Sequence, residues 1–305
     1  MSYDRILYQD VTWVDIIRPD KRDIQHLQEE FPQFHPLALE DCLSLLERPK
    51  LDEFDDHLFM VMQFPLWDAS QRITRPAEVD IFVGADFLVT VHSGELPPLR
   101  RLRHLLEENP KQRQKIMGPG ATPLMHTIID KLVDYLFPII SKIDANIHSI
   151  EEDIFSEDTR QIVQEISIVR RDLIVLRRIV RPQVAILSNL ENKDRSFIEE
   201  DLDDYFGDIL DHITKVRDII DENYEVVVSL ADTADTLASY KINEVMRILT
   251  VISVIMLPLT LITGIFGMNV PLPFQNKAVS LIGIIVIMLI ISTTMLAYFR
   301  HRRWL

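Results

Sequence analysis

A single cysteine, Cys42, stands in 305 residues. That excludes an internal disulfide framework and any metal ribbon built from cysteine pairs, and it suits a reducing compartment. Basic residues are also scarce: 32 Lys and Arg face 47 Asp and Glu, a formal net charge of −15. No basic stripe is present to neutralise phosphates, so nucleic acid is excluded as a partner. The acid surplus fits a protein that handles cations, and equally one that is merely soluble. The N-terminal stretch MSYDRILYQDVTW has no apolar core of the signal-peptide kind. No cleavable signal is therefore expected, and about the first 240 residues are expected to be made and kept in the cytosol. No P-loop, GxGxxG, GxSxG or HExxH is found, so an enzyme is not expected. The nine histidines are scattered. His26 and His35 read as surface or turn residues near acids, and His126 and His148 as helix residues without spaced partners. Asp52, Glu53, Asp55 and Asp56 read as a solvated loop cluster.

Charge itself is missing over two long runs near the C-terminus. None occurs from Ile248 to Asn276, nor from Ala278 to Phe299. Each run is close to the ~20 residues that a helix needs to cross ~30 Å of hydrocarbon. The short gap between them makes the pair a hairpin. Arg247 precedes the first span and Arg300 to Arg303 (RHRR) follow the second, whereas the loop carries only Lys277. The positive-inside rule then puts both termini in the cytosol and the loop outside, with Tyr298 and Trp304 as interfacial anchors. Two helices cannot enclose a pore, so a hairpin that transports must oligomerise. The first span is the better candidate for lining. It carries Thr250, Ser253, Thr260 and Thr263, and Pro258 frees the carbonyl of Val254. The second is richer in Ile, Leu and Met and reads as lipid-facing, although it has Ser292, Thr293 and Thr294.

Upstream of the first span the acids have a period. Asp201, Asp204, Asp208, Asp211, Asp218, Glu222, Glu225 and Asp232 fall on steps of three and four or their multiples, one face of a helix. The same phase continues through Ser239, Asn243, Met246, Thr250, Ser253, Leu257, Thr260, Gly264 and Gly267. Residues 201–266 therefore predict one helix of roughly 100 Å at ~1.5 Å per residue. On one reading, parallel copies surround an axis, acids such as Asp232 concentrate cations at the cytosolic mouth, and the uncharged polar face conducts them. On the other, the stripe is the solvated face of a stalk. A strict 3.5 repeat drifts by about 20° per heptad, so facing one axis throughout requires supercoiling.

The remaining chain divides in two. Residues 1–122 alternate strand-like runs (DVTWVDII, HLFMVMQF, DIFVGADFLVTVH) with short helical ones (KRDIQHLQEEF, PPLRRLRHLLEEN), an α/β pattern. Residues 123–242 read as amphipathic helices with a break near Phe155–Thr159, followed by the acidic stalk. Residues 243–305 hold the hairpin, with spans at about 245–267 and 278–299.

Three segments carry a resemblance: Asn243-Glu-Val-Met-Arg-Ile-Leu-Thr250, Leu257-Pro-Leu-Thr260, and Gly264-Ile-Phe-Gly-Met-Asn269. Together they closely resemble the CorA family of divalent metal-ion transporters, whose signature is GMN at the outer end of the first of two C-terminal spans. Phe34-His-Pro-Leu-Ala-Leu-Glu-Asp-Cys42 and Arg48-Pro-Lys-Leu-Asp-Glu-Phe54 resemble its cytosolic domain. The resemblance implies an α+β membrane protein. A cytosolic α/β domain and long-helix stalk form a funnel, two transmembrane helices follow, and five copies assemble as a homopentamer in the plasma (inner) membrane. It implies an outer ion site at Gly267, Met268 and Asn269, where amide and carbonyl oxygens hold a hydrated ion that sheds water reluctantly. Asn243 becomes a second polar ring, and Met246, Leu249 and Leu257 a hydrophobic constriction that gates by dewetting. Asp41 and Asp208 become a regulatory metal pair between neighbouring subunits, so that cytosolic metal holds the closed state. Without the resemblance, Asp41 reads as a capping or surface acid.

No permanently bound cofactor is implied. Divalent cations (Mg²⁺ first, with Zn²⁺, Co²⁺ and Ni²⁺) are substrate and regulator, and membrane lipid is the remaining partner. This chain departs from the family in two places. Phe266 precedes GMN where Tyr is common, and the loop PLPFQNK has no acid and ends in Lys277. A Mg²⁺ channel gated by cytosolic metal is the leading expectation. A proton-coupled Zn²⁺ or broad-specificity transporter is the first alternative, and a non-conducting membrane metal sensor the second.

Overall fold

Runs such as LFMVMQF alternate poorly because both of their faces are covered, and such runs form central strands. In the computed structural model, which describes residues 3–44, 46–68, 73–155, 158–191, 203–268, 278–302 and 304, they build one six-stranded sheet. The strands are β1 (Tyr3–Tyr8), β2 (Val11–Ile17), β3 (Lys50–Glu53), β4 (His57–Asp68), β5 (Ile73–Gly84) and β6 (Phe87–His92), in the order β1-β2-β6-β5-β4-β3. Only β2 and β6 pair in parallel; every other neighbour pair is antiparallel. The run DIFVGADFLVTVH is two strands, not one, because Gly84 ends β5 and the chain turns at Ala85-Asp86 before β6.

One face of the sheet carries Val14, Ile16, Phe59, Val61, Phe82, Val89 and Val91. It packs against α1 (Lys21–Glu30) and α2 (Pro36–Asp41) through Leu27, Phe34, Ala38 and Leu39. Asp20 and Asp23 start α1 with a reciprocal capping box. Pro36 starts α2 at its first turn, and the His35 ring accepts the Leu37 N–H at 3.2 Å, so His35 is a helix cap. The opposite face is covered by α5 (Ala121–Asp134) and α7 (Thr159–Glu191). In the chain, α3 (Pro97–Glu108) and α4 (Pro110–Met117) precede α5, and α6 (Leu136–Asp153) lies between α5 and α7. Among the described residues, the helical region breaks at Tyr135 as well as between Asp153 and Thr159. Asp52 and Glu53, expected in a loop, belong to β3, where Asp52 pairs with Phe59 and Glu53 with Leu58; Asp55 and Asp56 occupy the turn.

The long helix is present as α8 (Asp203–Phe266), and α9 (Ala278–His301) follows. The chain divides into two units, Met1–Ala231 and Asp232–Leu305. In the first, α8 buries Phe206, Ile209, Ile213, Val216, Ile220, Asn223 and Val227, the three-four spacing of a helix laid on its neighbours. Phe206 meets the His126 ring edge-on at 5.6 Å and His212 meets Phe137 at 5.8 Å. Arg177 and Arg181 of α7 bond Asp221 at 2.7 and 3.1 Å. Among the described residues, Phe206–Phe266 and Leu281–His301 each contain a stretch long and apolar enough to cross a membrane.

Candidate functional site

On α8 the acids Asp208, Asp211, Asp218, Glu222, Glu225 and Asp232 are all exposed, offset from the buried stripe. The three-four periodicity therefore separates a packed face from an acidic one. Exposure in a single chain fits both an axis-facing stripe and a solvated one. Asp201 lies outside the described residues.

Farther along, the covered positions on α8 are Arg247, Val251, Ile255, Pro258, Leu259 and Ile262; on α9 they are Ile284, Met288, Ile291, Ser292, Met295 and Phe299. Each set repeats every three to four residues, the seam of a helical hairpin. Asn243, Met246, Thr250, Ser253, Leu257, Thr260 and Gly264 fall on the roughly opposite side of α8, and all are exposed; Leu249 flanks them. Hydroxyls on this face are turned onto the helix: Thr250 donates to the Met246 carbonyl at 2.7 Å, Ser253 to Leu249 at 2.8 Å and Thr260 to Met256 at 2.9 Å. Leu257 is 70% exposed.

The helix closes at its end through the Gly267 N–H, which donates to the Thr263 carbonyl at 2.9 Å, and the Met268 N–H, which donates to Ile265 at 3.3 Å. A Cβ on Gly267 would stand 3.0 Å from that Thr263 oxygen, so the close turn favours glycine. Asn269 and the loop through Lys277 lie outside the described residues.

Asp41 and Asp208 share no partner among the described residues. Asp41, at the end of α2, accepts from Lys50 at 2.6 Å, and Lys50 also reaches Asp52 at 3.0 Å. Burial works to lower the Lys50 pKa, but the bonds to Asp41 and Asp52 outweigh it and the net shift is upward. Asp208 stands 3.9 Å from His212 Nε2, one helical turn on. The other ring nitrogen, Nδ1, is buried without a hydrogen bond and lies 4.0 Å from Asp134. One ligand atom from each of Asp130, Asp134 and His212 lies within 4.8 Å of the others, close enough to share a metal ion. Two carboxylates and an imidazole suit Zn²⁺, Co²⁺ or Ni²⁺ as well as harder ions. Sequence reasoning missed this group. Its only trace was a pair of four-residue spacings, Asp130 to Asp134 on α5 and Asp208 to His212 on α8. His148, expected to lack spaced partners, has Glu151 and Glu152 at 3.6 and 3.5 Å.

With this geometry in hand, known proteins give a consistent picture. The model of the family described as "CorA-like Mg2+ transporter protein" matches residues 8–302. The Bacillus subtilis (strain 168) protein YfjQ, named for metal ion transport, is 33% identical over 99% of this chain and 92% of its own. The cobalt/magnesium transport protein CorA of Thermotoga maritima is 30% identical, covering 96% of this chain and 83% of its own. The fold matches the complete structure of the CorA magnesium transporter from Methanocaldococcus jannaschii with a TM-score of 0.85. That match covers 99% of this chain and 94% of that one at 22% identity. A soluble α/β sheet domain, a long helix and a C-terminal apolar hairpin thus occur in the order that this family uses, and the chain belongs to the CorA-like Mg²⁺ transporter family.

Proposed function

We propose that the chain is one subunit of a homopentameric conduit that carries divalent cations across the plasma membrane, Mg²⁺ foremost, with both termini in the cytosol. The observation that carries this reading is the polar and small face of α8 from Asn243 to Gly264, which lies opposite the helix's covered stripe and is left open in the single chain. Five copies that bring this face to a common axis would give a lumen of hydroxyls and small residues, narrowed by Met246, Leu249 and Leu257. Asp232 would stand at the cytosolic mouth, and Gly267, Met268 and Asn269 at the outer one. A constriction of methionine and leucine passes no ion while it is dry, which makes it a gate.

Regulation follows from the acids. Asp41 of one subunit and Asp208 of the next would repel until a divalent cation sits between them, so cytosolic metal would favour the closed arrangement. Asp130, Asp134 and His212 surround the same stretch of α8 and would add ligands. Lys277 in an acid-free outer loop favours a second reading, transport of Zn²⁺ or related ions coupled to protons, because such a loop gives no electrostatic pull on a hydrated Mg²⁺.

The test is ion entry into proteoliposomes loaded with a metal-sensitive dye, Mg²⁺ and Zn²⁺ side by side, with Asn269→Ala as control. Mg²⁺ entry that is lost in the variant is the expected result. Zn²⁺ entry that follows pH at fixed metal would move the assignment to the coupled transporter. No flux of either ion above empty liposomes would leave only a membrane metal sensor.

A further inference from the structure

The acid surplus of the chain stops short of the hairpin. After Asp235 the sequence holds one acid, Glu244, against six Lys and Arg. Three of the six, Arg247, Arg300 and Arg302, flank the apolar runs at one end of the hairpin: α8 enters its run at Ile248, and α9 leaves its own at Phe299. The seam joins these two points, since Val251 is 2% exposed and Phe299 9%. Arg247 lies one turn before Val251 on the same side of α8 and is partly covered. Its Nε is buried without a hydrogen-bond partner, and among the described residues no ion pair joins Arg247 to Glu244. The guanidinium is thus held at the seam with no acid beside it, an arrangement that costs free energy until an acceptor reaches the group.

The chain after α9 folds back onto the helix end. The Arg302 N–H donates to the Tyr298 carbonyl at 3.0 Å and the Trp304 N–H to the Phe299 carbonyl at 2.9 Å. The Trp304 ring consequently lies 5.7 Å from the Phe299 ring, and the Arg302 guanidinium stands 5.8 Å over the Tyr298 ring. Tyr298 and Trp304 are both exposed. Arg300 and His301 occupy the last turn of α9, where positive charge suits the negative end of the helix dipole. That dipole accounts for the charges on α9 but not for Arg247, which belongs to the other helix. Neither Arg300 nor Arg302 has an ion pair among the described residues. The end of the hairpin thus carries three guanidinium groups and two exposed aromatic rings with no counter-charge of its own.

We propose that Arg247, Arg300 and Arg302, framed by Tyr298 and Trp304, form a site for the phosphate headgroup of an anionic phospholipid. The proposal rests on the reading that the hairpin spans a membrane, and not on which ion passes. Guanidinium forks match the oxygens of a phosphate two at a time. Aromatic rings with a polar edge settle at the level of the headgroups, which is where these charges then stand. Basic groups between the ends of two spanning helices are the kind of site that retains such headgroups. Phosphatidylglycerol brings a net negative charge, whereas phosphatidylcholine carries its own ammonium beside the phosphate, so the site prefers the first. A lipid held there ties the start of one span to the end of the other.

The test is quenching of tryptophan fluorescence in the full-length protein, reconstituted in phosphatidylcholine vesicles. Phosphatidylglycerol brominated near its headgroup is added, with brominated phosphatidylcholine as the reference. Trp304 is the reporter, whereas Trp13 is buried in the sheet and Trp67 belongs to β4. The expected result is quenching by phosphatidylglycerol at a membrane fraction about fivefold or more below that of phosphatidylcholine, the scale of one arginine at a membrane surface. Trp304→Phe abolishes the signal. Arg247→Gln combined with Arg302→Gln removes the preference, and Lys277→Gln, in the loop joining the helices, keeps it. Far-ultraviolet circular dichroism checks folding, and Arg302→Gln alone, expected to lower the preference, replaces the pair if the pair is not folded. Equal quenching by both lipids, quenching that survives Trp304→Phe, a preference unchanged in the folded arginine variant, or one lost equally in Lys277→Gln overturns the proposal. So does a preference that excess inorganic phosphate abolishes at matched ionic strength, which would assign the site to the free anion. Quenching reads lipid contact and not flux, so failure here and failure of the transport reading are told apart.

Discussion

Asp15 shows how a single charge is kept inside this sheet. It is 4% exposed and accepts from Thr90 at 2.6 Å, from His92 at 2.9 Å and from Arg103 at 3.3 Å, while Trp13 donates to Thr90 at 3.0 Å. Burial pushes its pKa up, but the bonds from His92 and Thr90 and the Arg103 charge outweigh burial and the net shift is downward from 3.8. A depressed carboxylate stabilises the fold at pH values above its unfolded pKa, and that stability is lost as pH falls through the lower folded value. Asp15→Asn should therefore cost about 2 kcal/mol at neutral pH, the scale of a charged hydrogen bond. It should also flatten the acid limb of thermal stability below about pH 4, where wild type loses the same contribution. Melting of the full chain in detergent across pH checks both. Lys50 supports a second prediction: it already sits on Asp41, so any divalent cation must displace an ammonium group. Lys50→Gln should lower the metal concentration that protects the chain from proteolysis by about fivefold, the equivalent of about 1 kcal/mol. Asp41 was legible in the sequence only as part of a motif. Its lysine partner was not, because β3 is four residues long and carries mixed charge.

Helix α8 is the element whose acidic face the sequence spelled out, since a repeat of three and four sustained over many turns has no other regular realisation; its packed face came from the structure. Its packed and acidic faces differ sharply in what substitution should cost. Ile213→Ala should destabilise the full chain by about 2–5 kcal/mol through lost burial and a cavity. Asp218→Asn, on the exposed face, should change stability by no more than about 0.5 kcal/mol. Unfolding of both variants in detergent checks the pair, and equal effects would mean that the face assignment is wrong. Shorter elements were harder to read. β1 and α2 are six residues each, and polar residues interrupt them, so neither reaches the length at which periodicity separates strand from helix. The approach of Asp130 and Asp134 to His212 was not legible either, because it depends on α5 meeting α8 across nearly eighty positions of sequence.

For the whole molecule, the order of sheet domain, long helix and hairpin was readable because composition changes sharply along the chain. The sheet order was not, because strand neighbours are chosen by packing and not by local pattern. Assembly gives a further prediction. With Cys42→Ser as background, a cysteine at Leu257 should cross-link between subunits under mild oxidation in liposomes, whereas one at Leu281, exposed on α9, should not. Equal cross-linking at both positions would reject the lining assigned to α8. The hydroxyls of that lining have a consequence for which ions it tolerates. Thr250, Ser253 and Thr260 each spend their one proton on a backbone carbonyl one turn below. What these three hydroxyls leave outward is oxygen lone pairs alone, so at their positions the face offers acceptors and no donors. Water beside it would be turned hydrogen-first toward the protein, with its own oxygens toward the axis. If this face lines the conduit as proposed, a hydrated cation would find that orientation ready-made and an anion would find it reversed, so the face would discriminate by sign of charge without holding any charge of its own.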